Sequence, residues 1–188
     1  MKTKAPIILG SQSPRRQDLL KAAGFDFEVV VRPVSEDYME GLHPRAIAVM
    51  ISENKAKAFD DLAKDNIVIT ADTLVFLEDD ILGKPKDEAE AIEMLQKLSG
   101  QTHTVISGVT LFYKGRFRSF SEETQVTFRS LKANEIEHYL NNFQPLDKAG
   151  SYGIQDWIGM IGITRIEGDY YNVMGLPVAK LYTELMAL

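Results

Sequence analysis

The chain has 188 residues, 45% hydrophobic and 26% charged, with a net charge of −6 and a pI of about 5.1. That balance excludes a disordered, collagenous or coiled-coil chain, and the negative charge argues against a non-specific grip on nucleic acid or anionic membrane. With no cysteine, and with His43, His103 and His138 as scattered imidazoles, disulfides and thiolate metal sites are ruled out and a histidine-rich metal site has little to build on.

No apolar run approaches the roughly 20 residues of a membrane span. The apolar part of the basic start MKTKAPIILGSQSPRR is too short for a signal peptide, so a cytoplasmic protein is expected. The length suits one domain or two closely joined lobes. Strand-like and helix-like apolar periods alternate, which predicts an α/β or α+β fold. In chain order, residues 6–9 read as a short buried strand and 10–13 as a loop. Ser13 is placed as a helix N-cap, with Pro14 at the first helical position and Leu19, Leu20 and Ala23 on the buried face. Residues 27–31 form a second strand, 44 to about 64 a long helix, and 67–71 a fully buried third strand that continues through 73–77 to a turn at 78–80. Asp87, with Glu90 three residues on, opens a helix to Leu98 as a capping box. Residues 105–112 and 117–128 read as a hairpin turning at Lys114-Gly115. A short helix over 135–142, a strand over 161–166 and a last helix after Pro177 complete the chain, with the lobe boundary near 101–128.

Four places break a local rule. Arg15 and Arg16 are cations in the first turn of a helix, where the dipole disfavours them. They are either a solvated pair or, with Ser11, Ser13 and the helix N–H groups, an oxyanion cradle. Lys55 lies within the stripe of Ile47, Ile51, Ala58 and Leu62, so it either snorkels outward or points its amine into a cleft, whereas Lys57 is the surface lysine. Asp72 follows the buried run IVITA and is either a turn residue or a strand-end carboxylate aimed at a ligand, with the Thr73 hydroxyl beside it. Lys84 stands between Gly83 and Pro85, either in a plain surface turn or as a fixed cation, and no Walker pattern is present. Asp72 and Glu36 as carboxylates, with Arg15, Arg16, Lys55 and Lys84 as cations, suit a polyphosphate accompanied by a divalent metal.

Seven ordered segments resemble the Maf family of nucleoside triphosphate pyrophosphatases, in its dTTP/UTP branch: LGSQSPRR (9–16), ISENKAKAF (51–59), ITADTLV (69–75), LGKPKD (82–87), SGQTHTVISGV (99–109), DKAGSYGIQ (147–155) and GDYYNVMGLP (168–177). The resemblance implies a single domain over 1–188, an elongated two-lobed α/β molecule with a curved mixed sheet and a central cleft, similar to inosine triphosphate pyrophosphatase. It implies a cytoplasmic enzyme that uses Mg²⁺ or Mn²⁺ to cleave dTTP, UTP or modified pyrimidine triphosphates to the monophosphate and pyrophosphate, with no nucleic-acid or membrane partner and a homodimer left open. Residue by residue, it assigns Asp72 as general base and metal ligand. Glu36, in the loosely matching PVSEDYME (33–40), is assigned to the metal. Ser11, Arg15, Arg16, Lys55 and Lys84 are assigned to the phosphates, and Thr73, Gln155 and Arg15 to choice of base. The chain departs from the family's usual pattern at Gly10, where alanine is common, and at Asp156-Trp157, where glycine often follows the glutamine. Two rival readings stay open at this point. A nucleotidyltransferase works at the same α-phosphate but needs an acceptor other than water, and a non-catalytic nucleotide-binding regulator of cell division would show no turnover.

Overall fold

The computed structural model describes residues 2–38 and 41–188. Ile7, Ile8 and Leu9 are all buried and form β1 (Ile7–Leu9), paired in parallel with β2 (Phe27–Val29) on one side and β3 (Ile67–Leu77) on the other. Pro14 opens α1 (Pro14–Ala22), which buries Leu19 and Leu20, while Ala23 is the half-buried C-cap. Ser13 stands at the N-cap as expected, but its side chain makes no capping bond; its own N–H is taken by Ser11 Oγ at 3.3 Å. β4 (Asp80–Leu82) returns antiparallel on the far end of β3, a short strand the sequence pattern did not reveal. Asp87 caps α3 (Glu88–Leu98) by accepting from the Glu90 N–H at 2.9 Å. Glu90 answers by accepting from Lys86 N–H at 2.6 Å, one residue earlier than a standard box.

β5 (Thr102–Tyr113) and β6 (Arg116–Phe128) are neighbours joined by Lys114-Gly115, both with positive φ, as a two-residue hairpin turn of matching twist requires. α4 (Ala133–Phe143) and α5 (Trp157–Gly162) follow, then β7 (Ile163–Glu167), α6 (Tyr170–Met174) and α7 (Val178–Met186). The seven strands make one mixed sheet in the order β2-β1-β3-β5-β6-β7, with β4 on β3, and helices flank it.

α2 (Pro44–Lys57) stops seven residues short of the expected end, and a distant arginine occupies its C-cap carbonyl. Arg32 donates to the Ala58 carbonyl, the group a continuing helix would offer to residue 62, and Leu62 N–H bonds Phe59 O instead. The same guanidinium forks onto Asp61 at 2.6 and 2.8 Å and lies over the Phe59 ring. It holds the Asp61 carboxyl down at about 2.

Two compact units divide the chain. The first comprises Met1–Asp72, Ser107–Glu122 and Gly175–Leu188; the second, Thr73–Ile106 and Glu123–Met174. Within the first, Ile8, Ala56, Phe59, Ala63, Val68 and Phe112 pack together. The second has its own core, built on Leu95, Leu98, Val126, Phe128, Tyr139, Tyr152 and Ile158. Burying each of the larger aliphatic and phenylalanine side chains contributes on the order of 1.5–3 kcal/mol.

His103 is packed into that second core, 2% exposed, with Nε2 2.7 Å from the Tyr152 hydroxyl and no hydrogen-bond partner for Nδ1. Burial lowers its pKa from 6.5 to about 4. The unfolded chain therefore binds the proton first, and stability falls as pH drops from 6.5 through 4, by about 3 kcal/mol in all. Above 6.5 both states are neutral and this contribution is flat. Denaturant midpoints measured across that window should fall less steeply in His103→Phe than in the wild type; equal slopes would contradict the assignment.

Candidate active site

In α/β sheets, ligand groups project beyond the carboxyl ends of parallel strands. β1 registers with residues 67–69 of β3, and β4 with 75–77, so Asp72 lies on β3 between the two ladders, just past the end of β1. The chain leaving β1 stays close to β3, because Gly10 N–H donates to Ile69 O at 2.8 Å. A Cβ on Gly10 would come within 2.9 Å of Thr70 and 3.1 Å of the Phe59 ring, so glycine suits this particular packing.

Ser11, 8% exposed, turns its hydroxyl to accept from Arg16 Nη1 at 3.2 Å. Arg16 also donates Nη1 to Ala71 O at 2.9 Å and Nε to Gly175 O at 2.8 Å. One guanidinium thus ties the loop after β1 to the last residue before Asp72 and to the segment before α7. Burial lowers its pKa from the ordinary value, while the nearby Asp72 charge pulls the other way. Arg15 is half-buried in the same helical turn.

α2 brings the next group. Thr70 Oγ1 donates to Ser52 O at 2.7 Å, and Ser52 Oγ pairs with Thr110 Oγ1 at 2.7 Å, all of them buried. This polar seam fixes the helix against the sheet. Lys55, one turn beyond Ser52, then meets Asp72, two residues beyond Thr70. Its Nζ is 2.7 Å from Asp72 Oδ1 and 2.7 Å from Glu36 Oε1. The Lys55 side chain is 17% exposed and that of Asp72 10%, so the amine points inward; Lys57 is the exposed lysine, bonded to Asn54. Glu36 is half-exposed and sits in the irregular stretch after β2 that Arg32 anchors. The last two residues of PVSEDYME, Met39 and Glu40, lie outside the described residues. Among the described residues no three His, Cys, Asp or Glu side chains gather as a metal site.

Ser11, Arg15, Arg16, Glu36, Lys55 and Asp72 all belong to the first unit, and Thr73, Lys84 and Gln155 to the second. Thr73 is half-buried, the residue after Asp72 on β3. Lys84 is exposed, but its loop is fixed: Pro85 is buried and Gly83 O accepts from Gly150 N–H at 3.0 Å. Gln155 Nε2 donates to Asp156 Oδ1 at 3.0 Å, and its Oε1 is shielded from solvent with no hydrogen-bond partner. Asp156 Oδ2 accepts from the Tyr139 hydroxyl at 2.6 Å, whose oxygen accepts from Gly153 N–H at 3.1 Å.

A family model described as Maf-like protein matches residues 6–188. The chain belongs to the Maf-like family. A relative from Phocaeicola vulgatus named dTTP/UTP pyrophosphatase is 50% identical over 187 residues, covering 98% of this chain and 97% of that one. A second of the same name, from Porphyromonas gingivalis, is 48% identical over 186 residues, covering 97% and 94%. Among solved structures, the Ham1 protein of Staphylococcus aureus aligns with a TM-score of 0.42 and 19% identity over 65% of this chain and 71% of that one.

In this Maf-like chain the quoted segments divide by what they touch. LGSQSPRR, ISENKAKAF and ITADTLV supply the Ser11–Arg16 and Lys55–Asp72 groupings. Asn172 in GDYYNVMGLP is fully buried and donates to Val105 O and Thr124 Oγ1 at 3.1 and 3.0 Å, which is a structural task. Tyr139 escaped sequence reasoning because an aromatic on a helical stripe reads as core. Asp156 was visible only as a departure from the family pattern.

Proposed function

We propose that this chain is a nucleoside triphosphate pyrophosphatase converting dTTP and UTP to the monophosphate and pyrophosphate, working as one domain in the cytoplasm. The observation that carries the reading is Lys55, a lysine on an apolar helix stripe held between the carboxylates of Glu36 and of Asp72, which lies on β3 just past the end of its parallel neighbour β1. The names of the two full-length relatives support the substrate class. Among the described residues no helix is long and apolar enough to cross a membrane.

In this reading water attacks the α-phosphorus, a new O–P bond forms, and the bond to the bridging oxygen breaks. Asp72 accepts the water's proton, its carboxylate oriented by Lys55. Pyrophosphate leaves with the electron pair, and Arg15, Lys55 and Lys84 meet the developing charge. Arg16 braces the loop so that Ser11 and the N-terminus of α1 receive a phosphate oxygen. Glu36 and Asp72 fit a Mg²⁺ or Mn²⁺ ion. Such ions take one or two carboxylates and complete their shell with water and phosphate oxygens, and the Lys55 ammonium between the two already marks a place where positive charge is favoured. When bound, the ion neutralises phosphate charge. Thr73 and Gln155 face the base, the unpartnered Gln155 Oε1 accepting from the N3–H that uracil and thymine share.

Incubation with dTTP, UTP, CTP, GTP and 7-methyl-GTP in Mg²⁺, followed by chromatography, tests this. Expected products are dTMP or UMP with pyrophosphate, released by water alone. A requirement for another acceptor would indicate a transferase, and silence with every triphosphate a binding protein. Lys55→Met keeps the apolar stem and removes the ammonium. We expect kcat/KM to fall at least about tenfold with the helical signal in circular dichroism unchanged; activity within about twofold of wild type would reduce Lys55 to a structural ion pair.

A further inference from the structure

A carboxylate has no hydrogen to give, so an amide that faces it must present nitrogen. At Gln155 this settles which end is which: Nε2 lies against Asp156 Oδ1 at 3.0 Å, and Oε1 is left as an acceptor shut from solvent without a partner. Asp156 is itself held. Its other oxygen takes the Tyr139 hydroxyl at 2.6 Å, and Lys148 Nζ is 3.9 Å from that same oxygen. Burial first, and then the hydrogen bond to Asp156 and its charge, push the Tyr139 pKa up, so the phenol keeps its proton and serves as the donor. The turn has room for this arrangement because residue 153 lacks a side chain. A Cβ there would lie 2.5 Å from Asp156 Oδ2 and 2.8 Å from Gln155 Nε2.

We propose that Asp156 is a specificity-positioning residue: it locks the Gln155 carboxamide so that Oε1 meets only bases carrying an N3–H. Uracil and thymine offer that hydrogen, and the second Nε2 hydrogen is left to donate to an adjacent ring carbonyl. Cytosine brings an acceptor at N3, which would face Oε1 acceptor to acceptor. A glutamine free to rotate would accommodate cytosine by exchanging its two ends. The locked one does not. The inference rests on the reading of Gln155 as the residue that meets the base.

The test compares kcat/KM for UTP and CTP in the wild type, Gln155→Ala, Asp156→Asn, Asp156→Ala and Tyr139→Phe, with equilibrium binding of UMP and CMP measured alongside. In Asp156→Asn the new amide can donate to Gln155 Oε1 and so permits the flipped glutamine. The UTP-to-CTP ratio should drop at least about tenfold in Asp156→Asn and Asp156→Ala. The change should reside in KM and in monophosphate affinity, with kcat for UTP within a few-fold of wild type. Tyr139→Phe, which loosens Asp156 without touching Gln155, should give a smaller drop in the same direction, and it guards against an Asp156 variant that fails to fold. Folded Asp156 variants that keep the wild-type ratio, while Gln155→Ala loses it, would overturn the lock and leave the base-reading role standing. A wild type that turns over neither UTP nor dTTP would overturn both at once, before any variant is compared.

Discussion

Asp72→Asn should lower turnover of dTTP and UTP by about 10²- to 10⁴-fold, the usual range for loss of a general base, with the fold intact. The amide matches the carboxylate in shape, and the strand around it is fixed from both sides: residues 67–69 pair with β1, and Thr70 donates to Ser52 O. Lys55 loses one carboxylate but keeps Glu36 Oε1 at 2.7 Å, so no uncompensated charge is left behind. What disappears is the acceptor for a proton. The decisive pair of measurements is steady-state turnover and thermal denaturation on one preparation. Near-normal rates in a folded variant would end the assignment of Asp72 as base, and a collapsed melting temperature would recast it as structural.

Gly108→Ala should be strongly destabilising. A Cβ at this position of β5 would sit 2.6 Å from Val49 N and closer still to the Ala48 carbonyl, atoms of the α2 backbone that have no rotamer to yield. The helix must lift from the sheet, which strains the Thr70–Ser52 and Ser52–Thr110 bonds as well. A loss of at least about 3 kcal/mol is expected, about 6–12 °C in melting temperature for a chain of this size. Turnover should fall too, because Lys55 rides on the same helix. Gly83→Ala is the control, since a Cβ there meets nothing within 4 Å. If both variants melt together, the close approach of α2 and β5 is not the constraint it looks.

Which features could be read from the sequence follows from how far their causes reach along the chain. The buried run of β3, the Asp87 cap and the Lys114-Gly115 turn depend on neighbours within a few residues, and each is found where the pattern puts it. The segment just past the end of α2 is held by Arg32, whose bonds to Ala58 and Asp61 no local periodicity encodes. For Lys55 the stripe narrowed the choice to outward or inward, but its partners are 17 and 19 positions away, so geometry had to decide. Arg16 shows the limit from the other side. Its charge in a first helical turn was the visible anomaly, yet two of its nitrogens go to backbone carbonyls, one of them 159 residues downstream.

That last bond has a bearing on biosynthesis. The first unit is assembled from three pieces of chain, and its final piece begins at Gly175, after every residue of the second unit has been made. On the ribosome, where chain is made amino end first, every residue of the second unit is synthesised before the Gly175 carbonyl that Arg16 bonds. A nascent chain halted before that residue contains Ser11, Lys55 and Asp72 but lacks the clamp that sets the first of them. The bond from Arg16 to Gly175 can therefore form only once nearly the whole chain has been made.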